Sequence, residues 1–146
     1  MTRGERASAI RGKGFNCAQS VFAACADLAG MDEKTALAIA GGFGGGVRSG
    51  EVCGAVSGAV MAIGAAFPYT DGTDAEAKKL IAELTVEFRN RFIEKFGALR
   101  CSELIGVDMS DHAEMQRARE EGRMSICKEF VETAAKIVEE IVREHK

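Results

Sequence analysis

The chain has 146 residues, of which 47% are hydrophobic and one is proline, and its net charge is −3. This length suits one domain with a sizeable core, and the composition excludes a disordered or loop-rich protein. The sequence has no basic stripe, which argues against nucleic acid as a partner. We therefore expect an all-α protein in which residues 1–146 form a single-domain helical bundle.

Residues 1–13 are polar and basic and lack the apolar segment of a secretory signal, so we expect a cytoplasmic protein. The cytosol keeps thiols reduced. The five cysteines are therefore expected to be free, metal-bound or catalytic rather than joined in permanent disulfides. Their odd number also leaves one cysteine unpaired in any complete disulfide scheme.

Two short helices are predicted in the first part of the chain. Asn16 is a suitable N-cap for a helix over residues 17–29, which would end at Gly30. Asp32 would cap a second helix over residues 33–40. The inner side of this second helix would carry its apolar residues, Ala36, Leu37, Ile39 and Ala40.

Residues 41–67 contain the segment that we predict to be the buried central helix. A glycine run at residues 41–46 precedes an uncharged segment, residues 52–67, which is rich in alanine, glycine and valine. Gly54 and Gly58 are one helical turn apart, so they would let another backbone come close. The segment is too short for a membrane span without flanking support, and we expect no such span.

A long amphipathic helix is predicted over residues 75–96, with Gly97 at its end. Its apolar residues repeat at helical spacing: Leu80, Ile81, Leu84, Phe88, Phe92 and Phe96. Its opposite side is strongly charged. We interpret that side as a solvated face with pairs three or four residues apart, not as a carboxylate active site.

The remaining part of the chain predicts one helical turn and two helices, and no strand. The turn covers residues 100–106. Ser110 or Asp111 would cap a charged, exposed helix. Ser125 would cap the last helix, which has Cys127 in its first turn and a buried stripe of Val, Ala and Ile.

Four of the five cysteines, Cys17, Cys53, Cys101 and Cys127, lie at or near a predicted helix start, whereas Cys25 lies within a helix. A helix N-terminus carries unpaired N–H groups and partial positive charge, so it lowers the pKa of a cysteine below about 8.5. The resulting thiolate attacks disulfides and binds soft metals. Alternatively the cysteines only pack in the core, which is our interpretation of Cys25.

Structural zinc sites usually take their ligands in close pairs such as C-x-x-C, and this chain has no such pair. Any site shared by the four cysteines must therefore be assembled by the packed fold. A preformed site of that kind favours an iron–sulfur cluster or a cysteine relay over zinc.

The segments at residues 16–19 (NCAQ) and 53–58 (CGAVSG), followed by two more cysteines, resemble the C_GCAxxG_C_C family, which is regarded as redox-active. The resemblance covers nearly the whole chain. It implies redox chemistry, as an oxidoreductase or an electron-transfer accessory protein, without naming a substrate. It also implies that Cys25 is extra and that the defining residues are Cys17, Cys53, Cys101 and Cys127. A looser similarity to the iron–sulfur part of split-Soret cytochromes favours a cluster.

Three functions remain open. In the favoured one, the four cysteines converge and bind an iron–sulfur or other soft-metal centre for electron transfer with a redox partner protein or a small oxidant or reductant. In the second, the same residues form thiol–disulfide pairs, Cys17 with Cys53 and Cys101 with Cys127, in an enzyme or sensor. In the third, the chain is a helical assembly module whose central helix packs in a homodimer and whose cysteines are structural.

Two further residues are candidates for contact with a cofactor. The glycine run matches neither common nucleotide-binding pattern, so we expect no nucleotide. Gly54 would let a cofactor approach the backbone beside Cys53. Arg48 would be an electropositive neighbour for a thiolate or an anionic ligand.

The two histidines, His112 and His145, lie in charged helices that we expect to be exposed, so Cys–His catalysis has little support. Met109, Met115 and Met124 lie close together in the sequence and offer a soft surface. Methionines at such spacing usually serve packing, and we assign these three to packing.

Overall fold

The computed structural model describes residues 1–146 as eight α-helices without a strand, and the predicted all-α class is confirmed. Most buried apolar side chains form one cluster of 30 residues, so the chain is a single domain. The only β-type pairing is an isolated bridge between Val52 and Arg100. The helices are Arg3–Gly12 (α1), Cys17–Cys25 (α2), Glu33–Ile39 (α3), Gly54–Ala66 (α4), Ala75–Phe96 (α5), Cys101–Ile105 (α6), His112–Glu120 (α7) and Cys127–His145 (α8).

Helix α4 lies at the centre of the bundle, against α2, α5 and α8. A Cβ added at Gly58 would lie 2.4 Å from the backbone oxygen of Ala18, and one at Gly54 would lie 2.9 Å from the Ala18 nitrogen. The predicted close backbone approach is therefore confirmed, and it brings the start of α4 to the start of α2. No helix, α4 included, is long and apolar enough to cross a membrane.

Helix α8 packs against α5 through aromatic side chains. The Phe130 ring lies 6.2 Å from the ring of Phe92 and 4.8 Å from that of Phe96, measured between centroids. At the outer edge, Arg91 of α5 forms an ion pair with Glu144 of α8 at 2.8 Å. These contacts fix the long amphipathic helix with its predicted apolar face inward.

Helix α1 is not predicted by the polar composition of residues 1–13. Only two of its side chains, Ala7 and Ile10, are buried, so it has too few apolar residues to show a helical pattern. Its position depends on distant partners: Arg3 forms an ion pair with Glu139 of α8 at 2.7 Å. The one local signal is a capping box, in which Thr2 and Glu5 exchange hydrogen bonds at the start of the helix, and sequence reasoning overlooked it.

The glycine run leads into a left-handed turn, in which Gly45, Gly46, Val47 and Arg48 all have φ between 56° and 62°. Val47 and Arg48 are the only non-glycine residues with positive φ. Such a conformation costs about 1–2 kcal/mol per residue, most clearly for a β-branched side chain. Because of this turn, the central helix begins at Gly54 and not, as the sequence predicted, at Val52. Val52 lies outside the helix and is 39% exposed.

Two local expectations are wrong. Ile39 is 51% exposed, because the short helix α3 buries only Ala36 against the bundle. Ser125 does not cap the last helix, since it lies in a 3-10 turn, Arg123–Ile126, that leads directly into α8.

Candidate functional site

Four helix starts meet at one cavity of about 540 Å³, which is lined by Cys17, Cys53, Cys101 and Cys127. Cys17, Cys101 and Cys127 are the first residues of α2, α6 and α8, and Cys53 is the N-cap of α4. Their predicted placement at helix starts is confirmed. Residues that are far apart in the sequence therefore share one cavity, and Cys25 does not line it.

A short antiparallel pairing holds α6 beside α4. The backbone N–H of Cys53 donates to the Leu99 carbonyl at 2.7 Å, and the N–H of Cys101 donates to the Glu51 carbonyl at 2.7 Å. The isolated bridge between Val52 and Arg100 lies between these two hydrogen bonds. This pairing brings Cys53 and Cys101 to the same wall of the cavity, although α6 has little packing of its own.

Cys17 has two polar neighbours in the cavity. The Arg11 Nε donates to the Cys17 sulfur at 3.4 Å. Hydrogen bonds from the Cys127 thiol and from Arg11 lower the pKa of Cys17 to about 6. The same contact with Cys17 raises the pKa of Cys127. In the metal-free protein near neutral pH, Cys17 is therefore the thiolate and Cys127 is the thiol that donates to it.

The pKa values of Cys53 and Cys101 are raised, whereas a position at a helix start was expected to lower them. Burial raises the pKa of Cys53 to about 12 and that of Cys101 to about 11, and the charge on Cys17 adds to both effects. The expectation of a thiolate at every helix start is therefore wrong, because removal from water outweighs the positive end of the helix. Metal binding at these sulfurs would have to displace their protons.

Cys25 lies at the opposite end of α2 and is fully buried in the main core. Its sulfur lies 3.9 Å from the Ala135 carbonyl oxygen, and burial raises its pKa to about 12. These properties agree with the interpretation of Cys25 as a core residue.

The remaining ionisable groups of the cavity are basic. Arg11, Arg48, His112 and Arg119 line it, whereas no Asp or Glu does. Arg48 and Gly54, both singled out from the sequence, are among the lining residues. Gly54 also provides the close packing against Ala18, so its lack of a side chain already has a structural reason.

Sequence reasoning missed Arg11, His112, Arg119 and the three methionines as lining residues. The position of Arg11 depends on α1, and the signal that could have found this helix is the capping box of Thr2 and Glu5. His112 and Arg119 lie on a charged helix whose exposure was expected, and nothing in the local sequence shows that one of its faces meets the cysteines.

The donor set suits a soft metal centre, since iron–sulfur clusters and zinc both bind four cysteine thiolates. No three cysteine sulfurs all lie within 4.8 Å of one another. A single tetrahedral zinc ion holds its sulfurs about 3.8 Å apart, given Zn–S bonds of about 2.3 Å. In this metal-free structure the thiols are therefore not gathered as tightly as a single zinc ion would hold them.

A second group of metal-type ligands, Glu87, Glu144 and His145, lies on the outer surface of α5 and α8. Arg91 forms ion pairs with both carboxylates. Because a guanidinium already occupies this group, it offers no free site for a metal cation.

The family model described as "Putative redox-active protein (C_GCAxxG_C_C)" matches residues 15–141. This range contains every cysteine of the chain. No curated protein and no solved structure matches the chain. The ordered cysteine motifs and the family match agree, and the chain belongs to the C_GCAxxG_C_C family of redox-active proteins.

Proposed function

We propose that the protein transfers electrons through one iron–sulfur cluster bound by Cys17, Cys53, Cys101 and Cys127. The observation that carries this proposal is the convergence of these four thiols, from four helix starts, on one cavity. Four cysteines are the usual ligand set of such clusters.

The surroundings suit a negatively charged centre. A bound cluster would supply one-electron redox chemistry, exchanged with a redox partner protein or with a small oxidant or reductant. Arg11 holds the Cys17 sulfur as a thiolate, and the absence of carboxylates from the lining avoids repulsion of added negative charge. A reducing compartment such as the cytosol would keep the thiols available for the metal.

Anaerobic purification tests the proposal, with a visible absorption spectrum and with iron and acid-labile sulfide measured on the same sample. We expect charge-transfer bands, iron and sulfide in the wild type, all lost in Cys53→Ser. The matched control is Cys25→Ala, which should keep them because Cys25 lies outside the cavity. A colourless, iron-free protein after attempted cluster reconstitution would contradict the proposal.

Thiol–disulfide exchange is the second candidate, because Cys17 and Cys127 line one cavity, Arg11 donates to the Cys17 sulfur, and the two thiols shift each other's pKa in opposite directions. This pair differs from the pairs expected from the sequence, Cys17 with Cys53 and Cys101 with Cys127, and all five cysteines are free in the structure. The Cys17 thiolate would attack a substrate disulfide, releasing one substrate thiol and forming a mixed disulfide.

Cys127 would complete the exchange. It would lose its proton and attack the Cys17 sulfur, releasing the second substrate thiol and leaving a Cys17–Cys127 disulfide. The substrate disulfide gains the two electrons that the two protein thiols lose. An iron-free protein that forms this disulfide with oxidised glutathione, as mapped by mass spectrometry, would favour the second candidate over the first.

A further inference from the structure

We propose that the same cavity has a second subsite, beside the cysteines, that binds a small organic anion. Its acidic head would lie at Arg48 and Arg119, and its apolar body against a wall of methionine and aliphatic side chains. This proposal rests on the proposed function in one respect: it takes the four cysteines as the redox centre. The anion would bind next to them.

Helix α7 carries the first argument for the subsite. It contains no cysteine, yet His112, Met115 and Arg119 all line the cavity. These residues are separated by three and four positions, so they lie on one helical face. The four cysteines already come from α2, α4, α6 and α8, so α7 is not needed to hold a cysteine-bound centre.

The charges indicate the class of ligand. Arg11 is engaged by Cys17, but neither Arg48 nor Arg119 forms an ion pair with a carboxylate. Arg89 and Arg117 also lack an ion pair with a carboxylate, but neither of them lines the cavity. An arginine fork binds carboxylate, sulfonate or phosphate oxygens in a bidentate manner. Arg48 and Arg119 are two unpaired guanidinium groups in a cavity without acidic residues. We therefore expect the ligand that they bind to be an anion.

The backbone at Arg48 adds a second, independent observation. This residue has φ of 56° at the end of the left-handed turn, a conformation that non-glycine residues rarely adopt. Strained residues of this kind cluster at ligand sites, where the strain holds a side chain in a required position. The strain at Arg48 coincides with its place in the cavity lining.

The rest of the lining explains why the ligand should be organic. Of the 11 hydrophobic lining residues, four are the cysteines and seven are apolar residues without a thiol, so a bare inorganic ion would leave much of the wall unused. The whole cavity, which the redox centre and the anion would share, has a volume of about 540 Å³, within the range of about 300–1,000 Å³ found for small-molecule sites. Methionine side chains are flexible and polarisable, which suits an apolar body of variable shape. The apolar wall includes Leu104, Ile105, Met109, Met115 and Met124.

A pair of fluorescent probes tests the assignment. Anilinonaphthalene sulfonate is an aromatic anion, and N-phenyl-naphthylamine has a similar aromatic body without the sulfonate. We expect the wild type to bind the sulfonate more tightly than the neutral probe. The double variant Arg48→Gln/Arg119→Gln should bind the sulfonate about tenfold more weakly at low salt, since exposed charge-assisted hydrogen bonds contribute modestly. Binding of the neutral probe should be unchanged.

The control is Arg89→Gln/Arg117→Gln, which makes the same change in net charge. Neither arginine lines the cavity, and Arg117 lies on α7 close to Arg119. An equal loss of sulfonate binding in both double variants would overturn the subsite, because the effect would then be one of overall charge. An equal loss of both probes in Arg48→Gln/Arg119→Gln would overturn the role of the arginines as the anion contact.

Two further measurements keep the outcomes separate. If Arg48→Gln disturbs the left-handed turn, seen as a lower melting temperature, Arg119→Gln alone still tests the contact from the unstrained helix α7. Iron content is measured on the same samples. Arginine-dependent sulfonate binding in a protein that takes up no iron would support the subsite and contradict the proposed cluster. A cluster-bearing protein without such binding would overturn the subsite alone.

Discussion

Helix α2 has a cysteine at each end, and the two thiols differ in every property that governs reactivity. Cys17 is half-buried, accepts a hydrogen bond from Arg11 and has a pKa of about 6. Cys25 is fully buried in the core, and its pKa is about 12. Cys53 lines the cavity as Cys17 does, yet burial raises its pKa to about 12 as well. Burial and hydrogen-bond partners, and not residue type, helix or place at the cavity, therefore set the pKa of each cysteine of this protein.

The packing at the two ends of α2 differs as well. At the Cys17 end, the backbones of α2 and α4 touch directly, because Gly54 and Gly58 lie on Ala18. At the Cys25 end, the thiol packs in the main core beside the backbone of α8. The packing at the Cys17 end therefore depends on direct contact between two backbones, with no side chain between the helices. The packing at the Cys25 end depends on side chains in the core.

The largest expected effect at neutral pH comes from adding one methyl group at the Cys17 end. In Gly58→Ala the new Cβ would lie 2.4 Å from the Ala18 carbonyl oxygen, so α4 must move away from α2. We expect a loss of about 3 kcal/mol in the free energy of unfolding, at the upper end of overpacking costs. Urea unfolding of the reduced, metal-free protein measures this loss.

Gly64→Ala is the matched control, since it lies on the same helix with no neighbouring atom within 4 Å of an added Cβ. It should be neutral or stabilising by up to about 1 kcal/mol, through helix propensity. Equal stability of the two variants would show that the close contact at Ala18 is not required.

The two ends of α2 should also oppose each other in the pH dependence of stability. The pKa of Cys17 falls from 9.0 to about 6 on folding, so its contribution is complete above about pH 9 and is lost as the pH falls through about 6. The pKa of Cys25 rises from 9.0 to about 12, so its contribution is complete below about pH 9 and is lost as the pH rises through about 12.

Urea unfolding of the reduced, metal-free protein at several pH values tests the direction of both pH effects on stability. Compared with wild type, Cys17→Ser should lack part of the increase in stability between pH 6 and 9, at most about 1.4 kcal/mol per pH unit. Cys25→Ala should lack part of the decrease above pH 9. A Cys17→Ser curve parallel to wild type between pH 6 and 9 would contradict the thiolate at Cys17.

The smallest expected effect concerns Arg11. In Arg11→Met the Cys17 thiolate loses a charged donor, so its pKa should rise by about one unit, or about 1.4 kcal/mol. The rate of iodoacetamide alkylation at Cys17 against pH measures this pKa. Arg11→Lys should restore part of the shift, and Arg6→Met, on the same helix but paired with Glu33, should leave it unchanged. An unchanged midpoint in Arg11→Met would assign the shift to Cys127 alone.

Much of the helical pattern was predictable because its signals are local. Helix α5 has the predicted bounds, since Asp74 caps its start, Gly97 adopts the left-handed conformation at its end, and apolar residues repeat between them. The starts of α2 and α6 follow from equally local features. Helix α1 was missed because it has few apolar residues, although Thr2 and Glu5 form a capping box at its start. The strained turn at Val47 was not predictable, because a β-branched residue rarely adopts positive φ.

The sequence by itself determined the helical class, the order of the helices and the place of four cysteines at helix starts, since caps and periodicity act over a few neighbouring residues. Only the tertiary structure decided that these starts share one basic cavity, that Cys17 rather than Cys53 is the thiolate, and that Arg11 and Cys127 are its partners. The physical reason is that removal from water and hydrogen bonding set the charge of a thiol, and both depend on residues that the fold brings from distant parts of the chain.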